Sequence, residues 1–149
     1  MNVSELKFGL DTFGDMSLDD NGQPVSAGQV IRDVVAQAKL AEEVGLDSFN
    51  IGEHHRDDYA VSAPDTILAG IATVTSKIKL GTGVTVLSSD DPVRVYQRFA
   101  TIDALSNGRA EITAGRGSFI ESFPLFGYEL ANYGDLFEEK LELLFGHQM

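Results

Sequence analysis

Ser48-Phe49-Asn50-Ile51-Gly52-Glu53-His54-His55 is the stretch on which the reading of this chain turns. Its first four residues have strand character. The next four break the strand at a glycine and deliver a carboxylate and two imidazoles. Arg56, Asp57 and Asp58 follow, so Glu-His-His stands at the C-terminal edge of a strand. Two of the three histidines in the sequence fall in this pair. Imidazole exchanges protons near neutral pH and serves as a general acid or base. An ordinary solvated loop would carry the same residues, so the flanking segments must decide.

Working outward, strand and helix alternate. Leu6–Leu10 is a first strand candidate, followed by a polar loop from Asp11 to about Pro24. Ser26 with Gln29 is a capping-box pattern. It opens a helix whose stripe is Val30, Ile31, Val34, Val35, Ala38, Ala41 and Val44, with Gly45 as the stop. Pro64 suits the first turn of a second helix buried through Ile67, Leu68, Ile71 and Val74. Ile78–Leu87 reads as the third strand. Asp91-Pro92 starts a third helix lined by Val95, Phe99, Ile102 and Leu105 and ended by Asn107-Gly108. Ala110–Ala114 is the fourth strand. A loop rich in Phe and Gly then leads to a fourth helix marked by Leu136, Phe137, Leu141, Leu144 and Phe145.

Such alternation calls for parallel pairing, and in parallel α/β folds polar site residues gather beyond the C-terminal ends of the strands. Asp11, Glu53 to His55, Ser88 to Asp90, and Arg116 occupy that position after the four strands in turn. The convergence of separate loops favours a site over a chance histidine pair.

Composition narrows the partners. The 149 residues suffice for one domain, taken as 1–149. A formal charge of -12, with scattered Lys and Arg, argues against nucleic acid. No apolar run reaches membrane-spanning length. The absence of cysteine excludes disulfides and thiolate chemistry and fits a cytoplasmic setting.

Several segments together resemble the bacterial luciferase-like, flavin-dependent monooxygenases. They are Gly52-Glu53-His54-His55, Ala63-Pro64-Asp65, Ile78-Lys79-Leu80-Gly81-Thr82-Gly83-Val84, Asp91-Pro92-Val93-Arg94, Asp103-Ala104-Leu105-Ser106-Asn107-Gly108-Arg109 and Gly115-Arg116-Gly117. The resemblance runs from about Leu6 to Leu144. It implies an α/β fold in which four βα units with parallel strands form half of a TIM (β/α)8 barrel. It further implies reduced flavin mononucleotide (FMN) reacting with oxygen to oxygenate a substrate such as an aldehyde, or a deazaflavin in related members, with a separate flavin reductase as a possible partner. By position, His54 matches the family's catalytic histidine. Gly83 and Val84 match a bend, often a cis peptide bond, against the flavin ring. Arg116, with Gly117 beside it, matches a position near the flavin phosphate or ring.

Bland readings stand beside these. Arg116 also suits a surface ion pair. Gly81 and Gly83 also suit close packing within a strand. Asp90-Asp91 suits a helix cap, and Phe123, Phe126 and Tyr128 suit loop packing. His55 suits a structural neighbour. A metal held by the consecutive Glu53, His54 and His55 is disfavoured by their directions.

The barrel needs eight strands and typically about 250 residues, so the chain reads as truncated, losing family character after Phe145. A half-barrel is expected to leave unpaired edges and to expose apolar residues meant for the barrel interior. Apolar burial would then drive a homodimer or larger oligomer against the charge of -12 on each copy.

Overall fold

The computed structural model describes residues 5–146, so most of the segment after Phe145 lies outside that range. Its strands are β1 (Gly9–Thr12), β2 (Ser48–Ile51), β3 (Lys79–Thr82), β4 (Thr85–Val86), β5 (Ala110–Glu111) and β6 (Ala114–Gly115). Its helices are α1 (Ala27–Glu43), α2 (Pro64–Ala72), α3 (Pro92–Ser106), α4 (Ser122–Phe126) and α5 (Tyr133–Gly146). One sheet runs β1-β2-β3-β5 and a smaller one pairs β4 with β6, and all pairings are parallel. The third and fourth strands of the sequence reading are therefore each broken in two. The breaks fall at Gly83-Val84, whose peptide bond is cis, and at Ile112-Thr113.

Local chemistry sets the boundaries. Ser26 caps α1 by accepting from the Gln29 amide, and Gly45 leaves the helix with φ +87°. Pro64 begins α2. Asp91 Oδ1 accepts from the Val93 and Arg94 amides at 2.9 and 3.0 Å, and Asn107 and Gly108 end α3 with φ 60° and 84°. The first strand begins later than the sequence suggests, at Gly9, because Phe8 is occupied by Asp47 through both its amide and its carbonyl. Asp11 consequently lies inside β1 rather than after it, with its carboxylate beside Gly83: a Cβ there would stand 3.8 Å from Asp11 Cγ.

Register sorts the two faces of the sheet. Leu10, Phe49, Leu80 and Ala110 are aligned, and Phe49 and Leu80 are fully buried with Val34, Ala38, Leu68, Ile71, Val95, Phe99 and Ile102 of the helices. Burying each such large side chain is worth about 1.5–3 kcal/mol, and this layer is the core. The opposite face carries Asp11, Asn50, Gly81 and Glu111 in one row. Asn50 donates to Asp11 at 2.6 Å there. The expectation of an apolar barrel interior is therefore corrected: the face turned away from the helices is polar. The exposed apolar groups lie elsewhere, Phe8 and Leu10 at the β1 edge and Leu143 and Phe145 on α5.

Candidate functional site

The strand ends place polar and aromatic side chains at one mouth. Beyond β2, the His54 amide bonds Val61 O at 3.1 Å, which holds the segment 52–61 as a closed loop. The loop after β1 is laced to it through Ala60 N to Gly14 O at 2.7 Å and Met16 N to Asp58 O at 2.9 Å. Phe13 is fixed between them. A Cβ on Gly52 would strike the Phe13 ring and stand 3.0 Å from Gly83 O, so only glycine permits this approach.

His54 is the centre of the arrangement. Its ring stacks on Tyr59 at 4.2 Å, lies 5.1 Å from Phe13 and meets the edge of Phe119 at 4.9 Å. Only 11% of the side chain is exposed. Glu121 Oε1 stands 3.8 Å from Nδ1, near enough for charge attraction but beyond a hydrogen bond. Burial pushes the imidazole below its usual value, with Glu121, Asp15 and Asp58 pulling the other way. The ring is consequently neutral at pH 7.

A cavity of about 410 Å³ opens beside it, walled by Phe13, His54, Tyr59, Val84, Phe119 and Ser122. Gly83 and Gly117 line it too. Thus His54, Gly83, Val84 and Gly117 are brought together. Arg116 is on the same end of the sheet but outside this lining, its guanidinium lying over the Tyr133 and Phe137 rings at 5.2 and 6.0 Å. Gly81 is explained by packing, since a Cβ there would come within 2.5 Å of Asn50 Oδ1. Gly83 is not: its Cβ would meet nothing closer than 3.7 Å.

Glu53 stands on the wall between this cavity and a second one of about 370 Å³, which lies between the starts of α2 and α3. Glu53 Oε1 is 2.7 Å from His55 Nε2. Burial pushes its carboxyl up, partly offset by His55, and nearby Asp90 adds to the rise. His55 also lines the chamber, with Nε2 toward Glu53 and its ring against the edge of Phe126. In the second cavity Arg98 joins Asp65 at 2.9 Å and also binds Asp90. Asp90 also accepts from the Asp91 amide, so it orders the loop before the α3 cap. Phe123 packs on Tyr133 at 5.6 Å, whereas Phe126 and Tyr128 line the second cavity.

Phe13, Tyr59, Phe119, Glu121 and Ser122 are the members that the sequence reading did not single out. Their loops have no periodicity, and α4 is too short to announce itself.

A family model described as luciferase-like monooxygenase matches residues 12–146. The chain belongs to this family. An N-acetyl-S-alkylcysteine monooxygenase of Bacillus subtilis is 34% identical over 133 residues, which cover 87% of this chain and 39% of that one. A coenzyme F420 dependent tetrahydromethanopterin reductase from Methanopyrus kandleri superposes with a TM-score of 0.64 at 28% identity, covering 85% of this chain and 31% of its own. The oxygenating constituent of 3,6-diketocamphane monooxygenase from Pseudomonas putida, in complex with FMN, gives a TM-score of 0.81. At 23% identity, with 93% of this chain and 38% of that one covered, it shows the fold alone. The luciferase-like chain thus spans less than half the length of these relatives. Its four βα units are half of a TIM barrel with parallel strands. Among the described residues no helix is long and apolar enough to cross a membrane, and no group of three His, Asp or Glu could hold a metal.

Proposed function

We propose that the chain carries the base and one wall of a flavin site in an FMN-dependent oxygenase of the luciferase-like family. The observation that supports this most is the neutral, nearly buried imidazole of His54 in an aromatic chamber drawn from separate βα loops. A neutral imidazole near pH 7 can accept a proton, and rings in place of water keep that proton transfer from leaking to solvent. A relative that works with F420 makes a deazaflavin the alternative ring, with the same polar edge.

The residues present fit the flat part of such a group. Val84 and the Phe13 and Phe119 rings offer faces for it, and Gly117 lets backbone approach closely. When bound, the flavin would supply the redox chemistry with oxygen, its electrons coming from a separate reductase. His54 would hold or take the proton at an imidazole nitrogen, while Glu121 favours the charged state that follows. The phosphate is less well served, because Arg116 is engaged with Tyr133 and Phe137. Swinging that guanidinium off the rings would give a bidentate phosphate contact.

FMN titrated into the chain should be retained through gel filtration, and His54→Asn should keep the flavin while lowering turnover by about 10²–10⁴-fold. Unaltered turnover in His54→Asn would remove the assignment. A second reading, a non-catalytic half-barrel that self-associates, draws on Phe8 and Leu10, exposed at the β1 edge. A dimeric mass without flavin retention would favour it.

A further inference from the structure

The rings around His54 leave only 11% of its side chain exposed, so a proton taken there needs a way out past them. Among the described residues, Glu53 alone lines both this chamber and the polar cavity between the starts of α2 and α3. Its Oε1 lies 2.7 Å from Nε2 of His55, which also belongs to the chamber lining, and both side chains are 11% exposed. Burial pushes the Glu53 carboxyl up, against the bond from His55, and the charge of Asp90 in the second cavity adds to the rise. The carboxyl therefore carries a proton closer to neutrality than an ordinary glutamate does. A charge on His55 in turn works against a charge on His54.

The other charged groups facing these two are held in place. In the second cavity Asp65 and Asp90 pair with Arg98, and Asp91 caps α3. In the chamber Glu121 stays 3.8 Å from His54 Nδ1, and neither it nor Tyr59 nor Ser118 lines the second cavity.

We propose that Glu53 and His55 form a proton relay joining the His54 chamber to the second cavity. This rests on reading His54 as the base, and adds the path by which that base is reset. One proton enters the pair from the chamber and one leaves Glu53 for water in the second cavity, so the pair regains its charge and no electrons move. A carboxyl and an imidazole at hydrogen-bond distance suit this exchange, since either partner can hold the shared proton.

The test follows the exchange of the His54 ring N–H proton with water, read from magnetic resonance line widths of the full chain without flavin. Glu53→Gln and His55→Gln should each slow it at least about tenfold, a modest share of what a positioned proton-transfer group contributes. The double variant should be no slower than either single one, because both act on one path. Glu53→Ala, which leaves room for a small acid, should regain speed when formate is added, a rescue that a purely structural glutamate would not show. Unchanged exchange in both single variants, with the His54 contacts to Tyr59 and Phe119 intact, would overturn the relay, as would failure of formate to restore it. Slowing in Glu121→Gln alone would also overturn it, by placing the exit at Glu121. None of these measurements involves flavin, so the relay can fail while the flavin reading stands. Full turnover in His54→Asn would instead remove the base, and the relay's purpose with it.

Discussion

The two ends of the sheet treat their polar groups in opposite ways. Below the strands, at the end where helices α1, α2 and α3 finish, charges are saturated with backbone partners. Arg109, 6% exposed, donates to the carbonyls of Ala72, Thr75, Ile78 and Ser106 and to the Thr75 hydroxyl. Glu42 accepts from the amides of Ser76, Lys77 and Ile78 at 2.6–3.0 Å. Above the strands, Glu53 is buried with its carboxyl pushed up, His54 is pushed down, and the hydroxyls of Ser88 and Ser122 are unpaired. The lower end closes the turns that join helices to strands. The upper end keeps unspent hydrogen-bonding capacity, which costs stability and is useful only to a ligand or a reaction.

Disabling the lower end should therefore cost the most stability. Arg109→Ala leaves three buried carbonyls and one partly buried one without their donor and is expected to lose at least about 3 kcal/mol in urea unfolding. Arg109→Lys should recover only part of this, because an ammonium cannot reproduce the planar fork. A loss below about 1 kcal/mol for Arg109→Ala would erase the contrast between the ends.

The lower end was also the more legible in the sequence. Caps at Ser26 and Asp91 and stops at Gly45 and Asn107-Gly108 follow from short-range chemistry, and the structure reproduces them. The helix stripes hold at their centres, but Val44 and Val74, expected in them, fall past the ends of α1 and α2 and are exposed, as are Leu105 and Phe145. The role of Arg109 was invisible, because all its backbone partners but Ser106 lie more than 30 residues away as carbonyls, which have no signature in sequence. At the upper end the strand-end position of His54 was readable. The rings around it were not, since Phe13, Tyr59 and Phe119 come from irregular loops tied together by hydrogen bonds between distant residues. The polar inner face was misjudged for another reason. Alternation along four-residue strands is too brief to tell which face meets helices, and the register of Asp11 with Asn50 and Glu111's row had to be seen.

Gly52→Ala carries the comparison into the upper end. The added methyl meets the Phe13 ring and a backbone oxygen, and overpacking of this kind costs about 1–3 kcal/mol. Phe13 should swing out, so the variant should bind FMN less well than its thermal midpoint alone would suggest. Retention of full affinity would show that Phe13 is not a wall of the site.

Glu42 gives a smaller effect with a defined pH signature. Hydrogen bonds hold its carboxyl down at about 2, against burial. Because the folded value is lowered, the stabilisation is complete above the unfolded value near 4.5 and disappears as pH falls toward 2. Glu42→Gln should lose about 1 kcal/mol at pH 7, the half-exposed carboxylate being partly screened, and should show a shallower acid limb. Parallel acid limbs for the two proteins would contradict this.

The smallest effect belongs to His54, and its sign differs in origin. Here burial lowers the value of a base, so folding favours the neutral ring. Stability is intact above the unfolded value of 6.5 and declines as pH drops from there through the lower folded value. Glu121, Asp15 and Asp58 oppose the shift and so keep the loss small. Removing the carboxylate in Glu121→Gln takes away the largest of these opposing charges, so the ring should protonate at still lower pH, and the decline should begin at the same unfolded value but run to lower pH and cost more. Nitrogen chemical shifts of His54 followed through an acid titration would read this directly. A midpoint that rises in Glu121→Gln would mean that Glu121 does not stabilise the charged ring, and the upper end would lose the group assigned to steady the proton His54 takes.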